Sequence, residues 1–460
     1  MSTTNVPVDE PVQTWKTLLT KYIEKYGKKK TPQEQEEETT RIFMEDLKDN
    51  TSLISNKTSL PKFFFKNPTN FSELYLSVRT EAKQKFLFLK SYEIPSKKNL
   101  KDLFGALKEN ISAPKDGTER INYVDFKKVG EKCEMFQEYF RPSNFLKFDK
   151  DKYGRIEIVA FFHYVIKRNN VEEMKINLTS NDFYCEGYLI DKDLEQYIKK
   201  EAQNFPFYND IEPEKQEFYL LVAQRKFFFY LDPKHKGKIY INDIVTSNIL
   251  SEFHEMNESN FSTLSSGEIM LNWFSKENFE RIYKKYIQLN IRENGMLSRE
   301  ELIKYGPGLT TIFIDRIFEE YQKYENAIDF KQFIDFVLAM ENRKDPASIQ
   351  YIWRAIDVYH KNAVDTFVIN MFFRGVAKKL FNRNIGEYKI DDLKDEIWDM
   401  IKPKNQNYIT LQDVLASPYG DIVLSLLIDA KSFFYHDKRE FGNPGEFDIL
   451  DDDYETETIA

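Results

Sequence analysis

Oxygen-bearing side chains recur along this 460-residue chain at spacings suited to a hard divalent cation. Calcium takes six to eight oxygens, which a 12-residue loop supplies from side chains at positions 1, 3, 5 and 9, the backbone carbonyl at 7 and a bidentate Glu at 12. Counted from Asn290, the sequence sets Asn290, Asn294, Ser298 and Glu301 at positions 1, 5, 9 and 12, with the Met296 carbonyl at 7. Counted from Asp149, it sets Asp149, Asp151 and Glu157 at 1, 3 and 9, but position 12 is Ala160. Arg292 at position 3 of the first loop puts a guanidinium where a carboxylate belongs. The expectation is a weak or lost calcium site at Asn290 to Glu301, and a weaker one at Asp149 to Glu157. The loop from Asp182 has Tyr184 at position 3, and the loop from Asp232 has Lys234 and Lys236 at 3 and 5. Three further units end in Gln332, Val368 and Asp413 at position 12. These loops are expected to serve as helix-pairing units, with no cofactor other than weakly held calcium.

Catalytic chemistry has no comparable residues. His163, His235, His254, His360 and His436 stand without partners at metal-ligand spacing. No Gly-rich phosphate loop, G-x-S-x-G elbow or H-E-x-x-H motif is present. A two-metal phosphatase centre needs clustered Asp and His. Here Gly420-Asp421 runs into Ile422-Val423 and Gly442-Asn443 into Pro444-Gly445, with no His in either place. No catalytic residue is assigned.

The elements that would position such loops show as an internal repeat. An apolar residue stands at loop position 8 in eight units: Ile121, Ile156, Leu189, Ile239, Leu297, Ile328, Val364 and Ile409. Five residues further on, each unit is apolar again, at Phe126, Phe161, Leu194, Ile244, Leu302, Phe333, Ile369 and Val414. Steps of 35, 33, 31 and 36 residues (121 to 156, 156 to 189, 297 to 328, 328 to 364) suggest paired units. Gly154, Gly187, Gly237 and Gly295 each precede the apolar residue by two, at a sharp turn that requires positive φ. Helix, 12-residue loop and helix, with these three markers, is the EF-hand pattern. The flanking segments carry helical stripes: Phe279, Ile282, Tyr283, Tyr286 and Ile287, then Phe330, Phe333, Ile334, Val337 and Leu338. The predicted fold is all-α: tandem degenerate EF-hand pairs with short loop–loop β-bridges. Residues 1–59 form a polar N-terminal arm, with a helix expected around Trp15 to Tyr26. An N-terminal domain (60–270), a C-terminal domain (271–436) and an acidic tail (437–460) follow.

Composition narrows the function classes. No run of roughly 18 apolar residues exists, which with a mean hydropathy of -0.58 argues against a membrane partner. The first residues, MSTTNVPVDEPVQTW, lack a basic n-region and an apolar h-region, so secretion is not expected. Cys133 and Cys185 are too few for a disulfide framework, which points to the reducing cytoplasm or nucleus. Net charge is -9, yet eight acids and no Lys or Arg follow residue 439, so the preceding chain is close to neutral. Nucleic acid is therefore not an expected partner. Phe227, Phe228 and Phe229 are consecutive on a helix and point about 100° apart, so one face cannot hold all three. They are the expected part of a partner-docking surface, because aromatics anchor interfaces.

Longer strings carry a resemblance. LPKFFFK (60–66), INYVDFKKVGEK (121–132), DKYGRIEIVAFFHYV (151–165) and RKFFFYLDPKHKGKIYINDI (225–244) are joined by NGMLSREELIKYG (294–306) and IDFKQFIDFVLAMENRKDPASIQYIW (328–353). Over about Leu60 to Phe441 the chain resembles the gamma branch of the B-double-prime regulatory subunits of protein phosphatase 2A. The resemblance implies a non-catalytic subunit that docks on the phosphatase scaffold and directs the catalytic subunit to cytoskeletal or other phosphoprotein substrates. It also implies a place in the cytoplasm, in microtubule organisation at a centrosome, basal body or cilium, or in the nucleus. The gamma branch has Asp where this chain has Asn290 and Arg292, which puts calcium control in question and leaves docking untouched. A structural cytoskeletal protein built of EF-hand units without a phosphatase, and a calcium-binding adaptor, are the alternatives.

Overall fold

A computed structural model describes residues 41–42, 73–114, 117, 119–321, 324, 326–382, 388 and 390–438. The expected arm and its helix around Trp15 to Tyr26, the 60–66 string and the tail from residue 439 lie outside the described residues. Helices make up nearly all of the regular structure described, and the strands are two or three residues long. The fold is all-α.

The strands sit where the repeat puts them. β1 (Arg120–Ile121) pairs antiparallel with β2 (Ile156–Glu157), Ile121 opposite Ile156. β3 (Tyr188–Ile190) and β4 (Lys238–Tyr240) carry the next two position-8 residues. β5 (Leu297–Ser298) pairs with β6 (Ala327–Ile328), and β7 (Val364–Asp365) with β8 (Tyr408–Ile409), Leu297 facing Ile328 and Val364 facing Ile409. Every position-8 residue, and every apolar residue five further on, is at most 2% exposed. The 35- and 31-residue steps thus join partners. The 33- and 36-residue steps join neighbouring pairs instead, and the Val364–Ile409 pair is 45 residues apart because two long helices, Thr366–Phe381 and Ile390–Ile401, intervene.

The expected turn glycines adopt positive φ: 72° at Gly154, 81° at Gly187, 69° at Gly237 and 73° at Gly295. Asn326 and Asn362 occupy the same loop position at 54° and 52°, Asn being the residue that tolerates this region best after Gly. Four of the helices that leave the loops start at a polar side-chain N-cap. Asn122 accepts from the Asp125 amide (2.8 Å), and Asp365 from that of Val368 (3.0 Å). Asp329 with Gln332, and Thr410 with Asp413, form reciprocal capping boxes.

The chain divides into two compact units, Met1–Leu189 with Tyr240–Ser247, and Ile190–Ile239 with Asn248–Ala460. This differs from the boundary expected at 270/271. Residues 190–239 join the C-terminal hands because the helix Pro213–Leu231 lies along Phe330–Glu341, held by an Arg225–Asp335 fork at 2.9 and 2.6 Å. In the first unit Phe126, Phe140, Phe145 and Phe161 form the core, with ring centroids 4.6–5.3 Å apart. Gly130 is required there, because a Cβ would sit 2.6 Å from that of Phe140. The helix Glu73–Glu93 runs beside Ile158–Asn181, where Arg79 donates to the Cys185 carbonyl (2.6 Å) and Lys83 to that of Asp182 (2.8 Å). In the second unit the Phe330 stripe is wholly buried. Of the Phe279 stripe, Phe279, Ile282 and Tyr286 are buried and Ile287 is exposed. Eight residues of helix carry Ile287 about 80° round from Phe279, past the buried edge.

Two stability outcomes follow from these cores. Phe333 is fully buried between Tyr286, Tyr305 and Phe330. Phe333→Ala should cost about 3–5 kcal/mol in chemical denaturation; a loss under about 1 kcal/mol would refute its place in the hand. His254 is half-buried, with Nε2 3.0 Å from the Tyr197 hydroxyl and Nδ1 3.0 Å from the Asn257 amide nitrogen. Burial lowers its pKa from 6.5 to about 4. The unfolded chain therefore takes a proton near pH 6.5 that the folded chain refuses until about pH 4. Its contribution is complete above pH 6.5 and is lost by roughly 3 kcal/mol as pH falls to about 4. His254→Gln should flatten the denaturation midpoint across that window, and an unchanged slope would refute the assignment.

Candidate functional site

The loop Asn290 to Glu301 begins where the helix Lys276–Leu289 ends, the Asn290 amide donating to the Tyr286 carbonyl at 2.9 Å. Glu293 and Gly295 hold φ of 52° and 73°, which folds the chain back on itself. Asn290 is 8% exposed and fills the loop with its side chain. In the orientation that matches donors to acceptors, its amide nitrogen donates to Asn294 Oδ1 and to the Met296 carbonyl, both at 3.2 Å. Its oxygen accepts from the Gly295 amide, also at 3.2 Å. Position 1 thus presents an N–H donor to the oxygens at positions 5 and 7, the atoms that a cation would need.

Glu301 is equally committed. It is 4% exposed; Oε1 accepts from the Arg292 amide (3.1 Å) and Oε2 from the Ser298 amide (2.8 Å). Burial pushes its carboxyl up, but the hydrogen bonds from Ser298 and Arg292 outweigh burial and hold the pKa below the usual value. Ser298 and Glu301 are the N-cap and N3 residues of the next helix, a capping box. Arg292 departs from expectation. Its guanidinium turns outward to Glu300 (2.9 Å) and stays largely exposed, so it does not occupy the loop interior. The residues present do not fit calcium, because Asn290 offers nitrogen and Glu301 is engaged by two backbone amides.

The second candidate loop does not converge either. Asp149 is exposed, and Glu157 lies in β2 as the residue before the helix Ile158–Asn181. Asp151 Oδ1 accepts from the Tyr153 and Arg155 amides (2.9 Å each), and its Oδ2 faces the Arg155 side chain. Three other loops repeat the pattern at position 1. Asp182 accepts from the Gly187 amide (2.8 Å), Asp232 from Lys236 and Gly237 (2.9 and 2.7 Å), and Asp357 from Lys361 and Asn362 (3.1 and 2.6 Å). Among the described residues, no three of His, Cys, Asp and Glu gather as a metal-holding group. Arg155 was missed by sequence reasoning, since position 7 of such a loop is read for its carbonyl alone.

The expected aromatic docking surface is corrected. Phe227, Phe228 and Phe229 are 0%, 4% and 5% exposed. Phe227 packs on Phe253 and Phe274, Phe228 lies under the Arg225 guanidinium, and Phe229 meets Tyr351. The three rings do point in different directions, but their helix is covered on several sides within one unit, so all three are buried.

No protein-family model matches the chain. The gamma form of the B-double-prime regulatory subunit of serine/threonine-protein phosphatase 2A from Xenopus tropicalis is 37% identical over 441 residues, 94% of this chain and 98% of the relative. A probable B-double-prime regulatory subunit of the same phosphatase from Arabidopsis thaliana is 34% identical over 422 residues, 88% of this chain and 87% of the relative. Among solved structures, a chain of a PP2A PR70 holoenzyme is 22% identical, with a TM-score of 0.49 over 54% of this chain and 93% of that chain.

Asn290→Asp with Arg292→Asp removes the internal donor and restores acids at positions 1 and 3. Calorimetry should find no calcium site tighter than about 10⁻⁵ M in the native chain and binding at least about tenfold tighter in the double variant. A tight site in the native chain would refute this reading of the loop.

Proposed function

The chain belongs to the B-double-prime family of protein phosphatase 2A regulatory subunits, and from that premise we propose that it docks on the phosphatase scaffold and directs the separate catalytic subunit to its substrates. It is itself a regulatory, non-catalytic subunit. The observation that carries the proposal is an alignment running nearly the full length of both this chain and the gamma relative. A partial match could reflect shared EF-hand units alone; a match of this extent takes in the loops, the exit helices and the segments between hands.

We propose further that its substrates are cytoskeletal phosphoproteins. The protein then works in the cytoplasm at a microtubule-organising structure such as a centrosome, basal body or cilium, or in the nucleus. The resemblance to the gamma branch supports this placement. Calcium is not required in this proposal, since the loop at Asn290 to Glu301 is closed by its own amide and capping box.

Purified chain mixed with scaffold and catalytic subunits should elute with them as a ternary complex, in EGTA as in calcium. Alone it should leave a phosphopeptide intact. Failure to form the complex would replace the proposal with the structural cytoskeletal reading. A complex that forms only in calcium would favour the adaptor reading.

A further inference from the structure

The first hand pair carries a cation of its own. Arg155, at position 7 of the Asp149 loop, is 1% exposed, one of the largest fully buried side chains in the described chain. Its Nε and Nη2 both lie 2.8 Å from Asp151 Oδ2. Its Nη1 donates to the carbonyls of Ser112 (3.1 Å) and Pro114 (2.6 Å), at the entrance of the partner loop. The partner loop is the one whose strand β1 is bridged to β2 beside Arg155. Ser112 is itself built in: its amide donates to the Arg120 carbonyl (3.0 Å), and its hydroxyl bonds Asp125 Oδ2 and the Asn122 amide. Arg155's own carbonyl accepts from the Asp151 amide at 3.1 Å.

We propose that the Arg155 guanidinium takes the place of calcium in the first hand pair, fixing both loops and making the order of the pair indifferent to the ion. A calcium loop is held by one positive centre that draws a position-3 carboxylate and backbone carbonyls together. Here a planar fork does the same with a carboxylate on one loop and two carbonyls on the other. Burial of the guanidinium is sustained by these partners, and removing one side of such a buried pair strands the other. A calcium ion arriving near the fixed guanidinium would meet like charge at short range.

Hydrogen exchange of the full-length chain reads the pair locally, at the amides of Ile121, Ile156 and their neighbours, in EGTA and in about 10 mM calcium. The native chain should show the same protection in both. Arg155→Met should lose protection on the order of 100-fold in EGTA, since it strands Asp151 and the two carbonyls. About 10 mM calcium should restore roughly tenfold of that loss, as expected for ion admitted at about 1 mM affinity. Arg155→Lys keeps the charge without the fork and should remain insensitive to calcium. It decides the matter if Arg155→Met does not fold. Calcium protection in the native chain or in Arg155→Lys, an Arg155→Met variant as protected as the native chain, or one that calcium does not rescue, would each overturn the proposal.

Discussion

The described fold depends on one small contact, the meeting of two position-8 side chains across a two-residue antiparallel bridge. A strand this short contributes few hydrogen bonds and would not persist alone in water. It persists because Ile121 and Ile156, Leu297 and Ile328, and Val364 and Ile409 are buried together with the first apolar residue of each exit helix. Each unit therefore leaves half of a bridge and half of a core to be completed by a second unit. Pairing follows from that need, and it sets where four helices of each pair must run.

The loops between those helices need closing, and this chain closes them with its own donors. Positions 9 and 12 of a calcium loop are three residues apart, which is also the spacing of an N-cap and its N3 partner. Ser298 with Glu301, Asp329 with Gln332 and Thr410 with Asp413 all use that spacing as capping boxes. In the last two pairs the ligand set is too poor for a metal, and the capping role alone accounts for the residues. Position 1 likewise serves the backbone, as an Asp accepting amides in three loops and as the inward amide of Asn290 in a fourth.

Much of this was legible before any coordinates. The position-8 residues and the turn glycines follow from strict local rules, an apolar side chain every hand and a φ that few residues adopt, so they can be read one loop at a time. Partner choice was less legible, because Val364 pairs with Ile409 across two longer helices and spacing alone favoured nearer neighbours. Side-chain direction was not legible. The Phe227–Phe229 run is ambiguous on an isolated helix, and only the surrounding helices determine that every ring is covered. Arg292 and Arg155 show the same limit in opposite senses. The arginine at a ligand position turns out to Glu300, whereas the one at a backbone position turns in to Asp151.

The source of closure decides what kind of regulator such a protein can be. A loop ordered by calcium gains stability with the logarithm of free ion, so its exit helix is presented more firmly when calcium rises. A loop ordered by a tethered amide, a capping box or a buried guanidinium has no such dependence, because the donor is always at the loop. Tethering also avoids the translational entropy lost when a free ion is captured. Hands closed this way present their exit helices in one arrangement at every calcium level. In a regulatory subunit of the B-double-prime family, constancy of that kind belongs to a fixed adaptor and not to a switch.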